Sequence, residues 1–403
     1  MRLFRALLHR PFALLWTGQI ISRVGDTLHH IALTWFLVET TGSAAAISTL
    51  FIALFLPNII FLLIGGVAVD RFPRIQVMLV SDLLRGALVG VIAALAYAGE
   101  LEVWHLYGMA IVFGFVDAFF QPAYTAAVPD LTPSDLLPSA NSLTALSGRA
   151  TSVVGPAVGA LLVKIGGTSF AFAIDALSFV LSALCLLPLS RLLPRRARTG
   201  ESPTVLAEVR AGISTVLGSP WLWVTIAIFS LVNVTQSGPL AIALPLLIKE
   251  TLRADVDALG LFSSMSALGS VLMALWLGRA AKLRHRGLLA YGATIIGGLM
   301  TSVIGLPVGL PGIVAAAFVI GATITLFTLI WVNTLQEFVP RELLGRVSSV
   351  DQLGSFALLP IGYAATGWAT EVLGPAMVFV IGGSCTAISI GLGLLHPAVR
   401  QLD

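Results

Sequence analysis

Charge is scarce in this chain. Only 11% of its 403 residues are Asp, Glu, Lys or Arg, against roughly 25% in a soluble globular domain. A chain so poor in charge cannot cover a water-facing surface, which excludes a soluble enzyme or signalling domain. Cysteine is scarcer still. Cys185 and Cys385 both lie inside apolar runs and read as small hydrophobes, with no disulfide framework and no thiolate metal site. His29, His30 and His105 lack metal-ligand spacing. No Ser/His/Asp, HExxH or phosphate-loop arrangement is present, so catalysis and ATP use have no motif behind them and no cofactor is expected. The net charge of +3 is not a nucleic-acid signal, because its meaning lies in where the basic residues sit.

What is present is hydrophobic: 57% of residues, with a mean hydropathy of +0.96. A helix needs roughly 20 apolar residues to cross a bilayer. Twelve stretches approach or exceed that, at about 11–38, 44–69, 75–97, 103–127, 140–164, 168–189, 221–248, 257–280, 287–306, 312–336, 345–370 and 374–395. The expectation is an all-α membrane protein with twelve transmembrane helices. Arg2, Arg5 and Arg10 precede the first run without a small-residue cleavage site, so that run reads as a retained helix. Basic residues set the orientation. With both termini cytoplasmic, the outer loops hold only Lys164, Lys249 and Arg253, and Arg23, Arg85 and Arg149 lie within spans. All other Lys and Arg fall on the cytoplasmic side, as the positive-inside rule requires.

The longest polar stretch, Arg191 to Ser219, is basic and carries Pro194 and Pro203. It divides the chain into a first six-helix half (1–190), a cytoplasmic linker (191–220) and a second half (221–403). The halves echo one another. Val128-Pro129 with Asp135-Leu136-Leu137 matches Val339-Pro340 with Glu342-Leu343-Leu344. Repeated six-helix halves are a mark of secondary transporters.

The first run carries a polar stripe. Gln19, Arg23, Asp26 and His30 fall at i, i+4, i+7 and i+11, on one helical face. A charge at mid-bilayer costs roughly 2.5–3.5 kcal/mol on insertion scales, so such a stripe must face other helices or a watery cavity. Arg23 and Asp26 are spaced to pair with each other. Asp26, nearest the bilayer centre, is the first proton-coupling candidate. Its ionised form would hold Arg23, and its neutral form would release it. Asp117, with Gln121 one turn on, is the second. Asn233 and Gln236 in the seventh run, and Asn333 in the tenth, are candidate cavity lining. Asp82 with Arg85 reads as a neutralised structural pair, and Asp175 as structural.

Two motifs carry a family resemblance. Gly66-Val67-Ala68-Val69-Asp70-Arg71-Phe72-Pro73-Arg74 resembles the G-x-x-x-D-R-x-G-R loop of the major facilitator superfamily, with Pro73 in place of the usual Gly. Thr151-Ser152-Val153-Val154-Gly155-Pro156-Ala157-Val158-Gly159-Ala160 resembles that family's antiporter motif. The segments Ser22 to Asp26, Thr41-Gly42-Ser43, Ser81 to Arg85 and Gln121-Pro122-Ala123 are most similar to its macrolide-efflux and enterobactin-exporter branch. The usual Arg of the fourth helix is missing.

The resemblance implies a multi-pass protein of the bacterial inner (plasma) membrane. It would export amphipathic or drug-like small molecules by alternating access against protons, in contact with membrane lipids and as a monomer. A lysophospholipid flippase and a siderophore exporter are the alternatives, and an intramembrane enzyme or receptor the least supported. In the loop motif, Gly66, Asp70, Arg71 and Arg74 would form a cytoplasmic latch, the two arginines pairing with carboxylates or helix ends of the opposite half. Gly155, Pro156 and Gly159 would set close helix packing.

Overall fold

The computed structural model describes residues 4–191, 212–279 and 285–400; within them, nothing is said of the side chains of 62–71, 191 and 341–342. Most of the 191–220 linker, and the surroundings of Gly66 and the side chains of Asp70 and Arg71, therefore lie outside what is described. The described backbone is helical, with no strand. Nine helices among the described residues are long and apolar enough to cross a membrane.

The chain divides into two compact units. Unit 1 comprises 1–42, 49–199 and 255–260. Its helices are α1 (Arg10–Thr41), α2 (Ala44–Arg71), α3 (Arg74–Ala98), α4 (Val103–Asp130) and α5 (Leu137–Leu186). The 32-residue α1 is not among the nine, because its polar stripe lowers its hydropathy. The two runs expected at 140–164 and 168–189 are two helical arms, labelled together as α5, that meet without a loop at Gly167, which alone leaves helical conformation at φ 75° and ψ 176°. Fifty helical residues would extend about 75 Å, against a hydrocarbon core of roughly 30 Å. Gly167 breaks the run, and only glycine takes that φ without strain.

The two arms of α5 lie along α1 in opposite senses. On the first arm, Ser139 and Ser147 bond Ala6 and Trp16, and Gly155 and Gly159 meet Thr27 and Leu28. On the second arm the order reverses: Gly25 meets Asp175 and Ser178, and Gly18 meets Ser182 and Cys185. A Cβ on Gly25 would overlap Ser178 Oγ, and one on Gly159 would stand 3.2 Å from Leu28 Cα. The antiporter-like motif is thus the packing surface of α5 on α1. Phe12, Leu15, Met78, Phe120 and Leu186 fill an apolar core to one side.

Unit 2 comprises 43–48, 200–254 and 261–403. Its helices are α6 (Pro220–Thr251), α7 (Val256–Leu277), α8 (Arg286–Ile304), α9 (Gly309–Phe338), α10 (Arg341–Phe356), α11 (Leu359–Leu373) and α12 (Pro375–Gly393). Helix α8 packs on α9 and α12, and α6 on α10 and α12. The run expected at 345–370 is two helices, α10 and α11. Pro360, in the first turn of α11, has no N–H to give to the preceding turn, so the ladder is cut there. Helix α6 carries three π turns, at Asn233–Ser237, Pro239–Ala243 and Leu247–Thr251.

Candidate functional site

The site lies within unit 1. A cavity of about 320 Å³ opens between α1, α2, α3 and α4. Helix α1 turns Gln19, Ser22, Arg23, Asp26, His29, His30 and Leu33 toward it, at the 3–4 residue spacing of one face. Helix α4 adds Met109, Phe113, Asp117, Phe120 and Gln121, and α2 adds Leu54 and Asn58. Gly114 has no side chain where α4 meets the backbone carbonyl of Leu54, and this lets the two helices close the wall. A single residue of α3, Arg85, lines the cavity.

Arg85 joins two carboxylates. Its Nη2 donates to Asp82 Oδ1 at 2.6 Å and its Nη1 to Asp117 Oδ1 at 3.3 Å. Asp82 Oδ2 accepts from Ser182 Oγ at 2.6 Å, tying α3 to α5. The guanidinium lies over the rings of Phe120 and Phe179, at 4.2 and 4.7 Å from their centroids. Asp26 lines the same cavity and has no ion pair, though Arg85, Asp82, Asp117 and Asp175 all act on it electrostatically. His29 Nδ1 stands 3.2 Å from Asp175 Oδ2, off the hydrogen-bond direction. The His29 ring stacks on Phe113 at 5.3 Å. Gln19 is 3% exposed, and its Nε2 has no hydrogen-bond partner.

Two arginines line the cavity, and Asp26, Asp82 and Asp117 gather around one of them. That one, Arg85, is engaged by Asp82 and Asp117. The other, Arg23, lies 5.1 Å from the Tyr124 ring centroid and makes no ion pair with Asp26. The expected Arg23–Asp26 pair is therefore not formed. The two share a face, but the cation finds an aromatic partner on α4. No group of His, Cys, Asp and Glu among the described residues is arranged to hold a metal ion.

A sequence model of the Major Facilitator Superfamily matches residues 15–362. The chain belongs to the major facilitator superfamily. It is a transporter, a multi-pass protein of the bacterial inner membrane, and its relatives are transporters rather than enzymes. It is 25% identical over 395 residues to macrolide efflux protein A of Streptococcus pyogenes, covering 97% of this chain and 96% of that one. It is also 25% identical to the multidrug efflux pump Tap of Mycolicibacterium fortuitum, covering 98% and 97%. Among solved structures, a POT family transporter in complex with a thioalcohol-conjugated peptide superposes with a TM-score of 0.76. The identity is 12% over 96% of both chains, a likeness of fold alone.

Other residues singled out in the sequence of this superfamily member fall elsewhere. Asn233 donates to the Ser355 carbonyl at 2.9 Å, joining α6 to α10, and Gln236 donates to Thr301 Oγ1 at 3.3 Å on α8. Both amides are used in helix–helix bonds inside unit 2. Asn333 is exposed on α9. Arg74 serves its own unit: it donates to the Ala126 carbonyl at 3.0 Å and pairs with Asp130, at the end of α4. Unit 2 repeats this device, with Arg286 at the start of α8 bonded to Glu337 at the end of α9, 2.5 Å away.

Sequence reasoning did not find Arg85, His29 and Asn58 as lining. Arg85 had a nearby carboxylate at i−3 that accounted for its charge, and only the fold brings Asp117 and Asp26 to bear on it.

Proposed function

We propose that this transporter exports amphipathic, cationic drug-like molecules by alternating access, driven by proton entry. The observation that carries this reading is the placement of Asp26 and Asp117 in one cavity with Arg85, whose guanidinium is already bonded to the buried Asp82 outside the lining. Asp26, which has no ion pair, and Asp117, held loosely by Arg85 at 3.3 Å, favour a proton or an organic cation. Apolar walls from Leu33, Leu54, Met109 and Phe113 suit the remainder of an amphipathic molecule. The relatives named as macrolide and multidrug efflux proteins point the same way. Asp26 is the proposed proton carrier and Asp117 its alternate, with Gln19, Arg23, His30 and Gln121 lining the path.

The test is transport in proteoliposomes under an imposed pH gradient, with a panel of dyes, macrolides, catechols and lysolipids. Cationic substrates are expected to move only with the gradient. Asp26→Asn, which mimics the protonated carboxylate, is expected to abolish gradient-driven export while the protein still inserts. Export at the wild-type rate and pH dependence would move the proton site to Asp117.

A further inference from the structure

Arg85 is held unevenly. On one side, the fully buried Asp82 takes Nη2 at 2.6 Å, and its other oxygen is occupied by Ser182. Phe120 and Phe179 fix the guanidinium plane. On the other side the hold is slack. The Nη1 to Asp117 distance is 3.3 Å, longer than the roughly 2.7–2.9 Å of a strong charge-assisted bond. The Asp117 side chain is 34% exposed. The third donor, Nε, is buried and has no partner. Asp26 lines the same cavity and acts on Arg85 through space but makes no ion pair. One guanidinium therefore faces three carboxylates and satisfies one of them fully.

We propose that Arg85 is a tethered stand-in for the cationic cargo: it occupies Asp117 while the cavity is empty and yields that carboxylate when an organic cation enters. This rests on the reading of a cationic substrate given above. Asp117 sits at the wall of a low-dielectric cavity, where a carboxylate is partly desolvated and a cation beside it is favoured. Exchange of one cation for another keeps one beside Asp117, while Asp82 and Ser182 keep the other limb of Arg85 in place. The other charged groups around Asp117 do not compete for this role. Asp26 is itself an acid, Arg23 is over Tyr124, and His29, which also acts on Asp117 through space, lies closest to Asp175 at 3.2 Å. Arg85 is in this sense a positioning residue that sets how tightly the cavity holds a cation.

Equilibrium binding of tetraphenylphosphonium to the purified full chain in detergent tests this. Arg85→Gln combined with Asp82→Asn removes the buried pair together and frees Asp117. That variant is expected to bind the probe about tenfold more tightly, or about 1.4 kcal/mol, and to transport it more slowly. Adding Asp117→Asn is expected to erase the gain. A merely structural role for Arg85 would weaken binding, not tighten it. A folded double variant with unchanged or weaker binding overturns the proposal, as does a gain that survives Asp117→Asn. Asp117→Glu gives a second reading that leaves the buried pair intact. Its longer side chain closes the gap to Arg85, and severalfold weaker binding is expected; unchanged or tighter binding counts against the stand-in role. If the wild type binds no tetraphenylphosphonium, the cationic-cargo reading falls with it. If the wild type binds and the variants do not shift, only the role of Arg85 falls.

Discussion

Arg74, the first residue of α3, holds the end of α4 through the Ala126 carbonyl and the Asp130 carboxylate. This pair is partly exposed, at 19% and 25%, whereas the Asp82–Arg85 pair is buried at 0% and 3%. The two should respond differently to the same deletion. Arg74→Gln is expected to cost at most about 1 kcal/mol, and less in high salt. Asp82→Ala leaves a buried guanidinium short of its best partner and is expected to cost about 3–5 kcal/mol. Thermal unfolding in detergent at two salt concentrations measures both, and equal losses would mean that the buried pair is solvated.

Gly159→Leu should separate α5 from α1, since even a Cβ there stands 3.2 Å from Leu28 Cα. The protein is expected to insert in the membrane and lose transport. Gly25→Ala should act from the opposite side of α1 through Ser178 and Asp175. Wild-type export by both variants, with normal expression, would show that close approach of these helices is not required.

Asn233→Ala and Gln236→Leu separate lining from packing. Each removes one interhelical bond of unit 2, worth about 0.6 kcal/mol on average in a membrane protein. Small drops in melting temperature are expected, with the order of preference among substrates unchanged. A reordered substrate preference would return these amides to the transport path.

Asp70→Asn tests the latch that the loop motif implies. Cysteines placed on the cytoplasmic side should become more accessible to a membrane-impermeant thiol reagent, with expression near wild type. Unchanged accessibility together with unchanged export would remove the latch role.

Much of the helical layout was legible because hydropathy and length report on the bilayer rather than on tertiary detail. The face of α1 bearing Gln19, Arg23, Asp26 and His30 was legible too, as was the presence of Asp117 and Gln121 on α4, since periodicity places residues on a face. Partnership was not. Arg23 faces Asp26 in sequence spacing and Tyr124 in the fold. Asp175 is far from His29 in sequence and 3.2 Å away in space. Asn233 and Gln236 were placed on one face by α-helical spacing, but a π turn begins at Asn233 and changes the angle per residue from there on. Pairings across helices depend on how the elements assemble, and a single sequence carries no trace of that.

The single break at Gly167 has a consequence for how this protein is made. With no loop between them, the two arms of α5 are expected to insert together as a helical hairpin. Asp175 rides in that second arm, and its carboxylate would be costly to place in hydrocarbon by itself. Its neighbour His29, on α1, has by then already been synthesised. The order of the chain places His29 ahead of Asp175, so the hairpin and α1 are expected to assemble together as they insert.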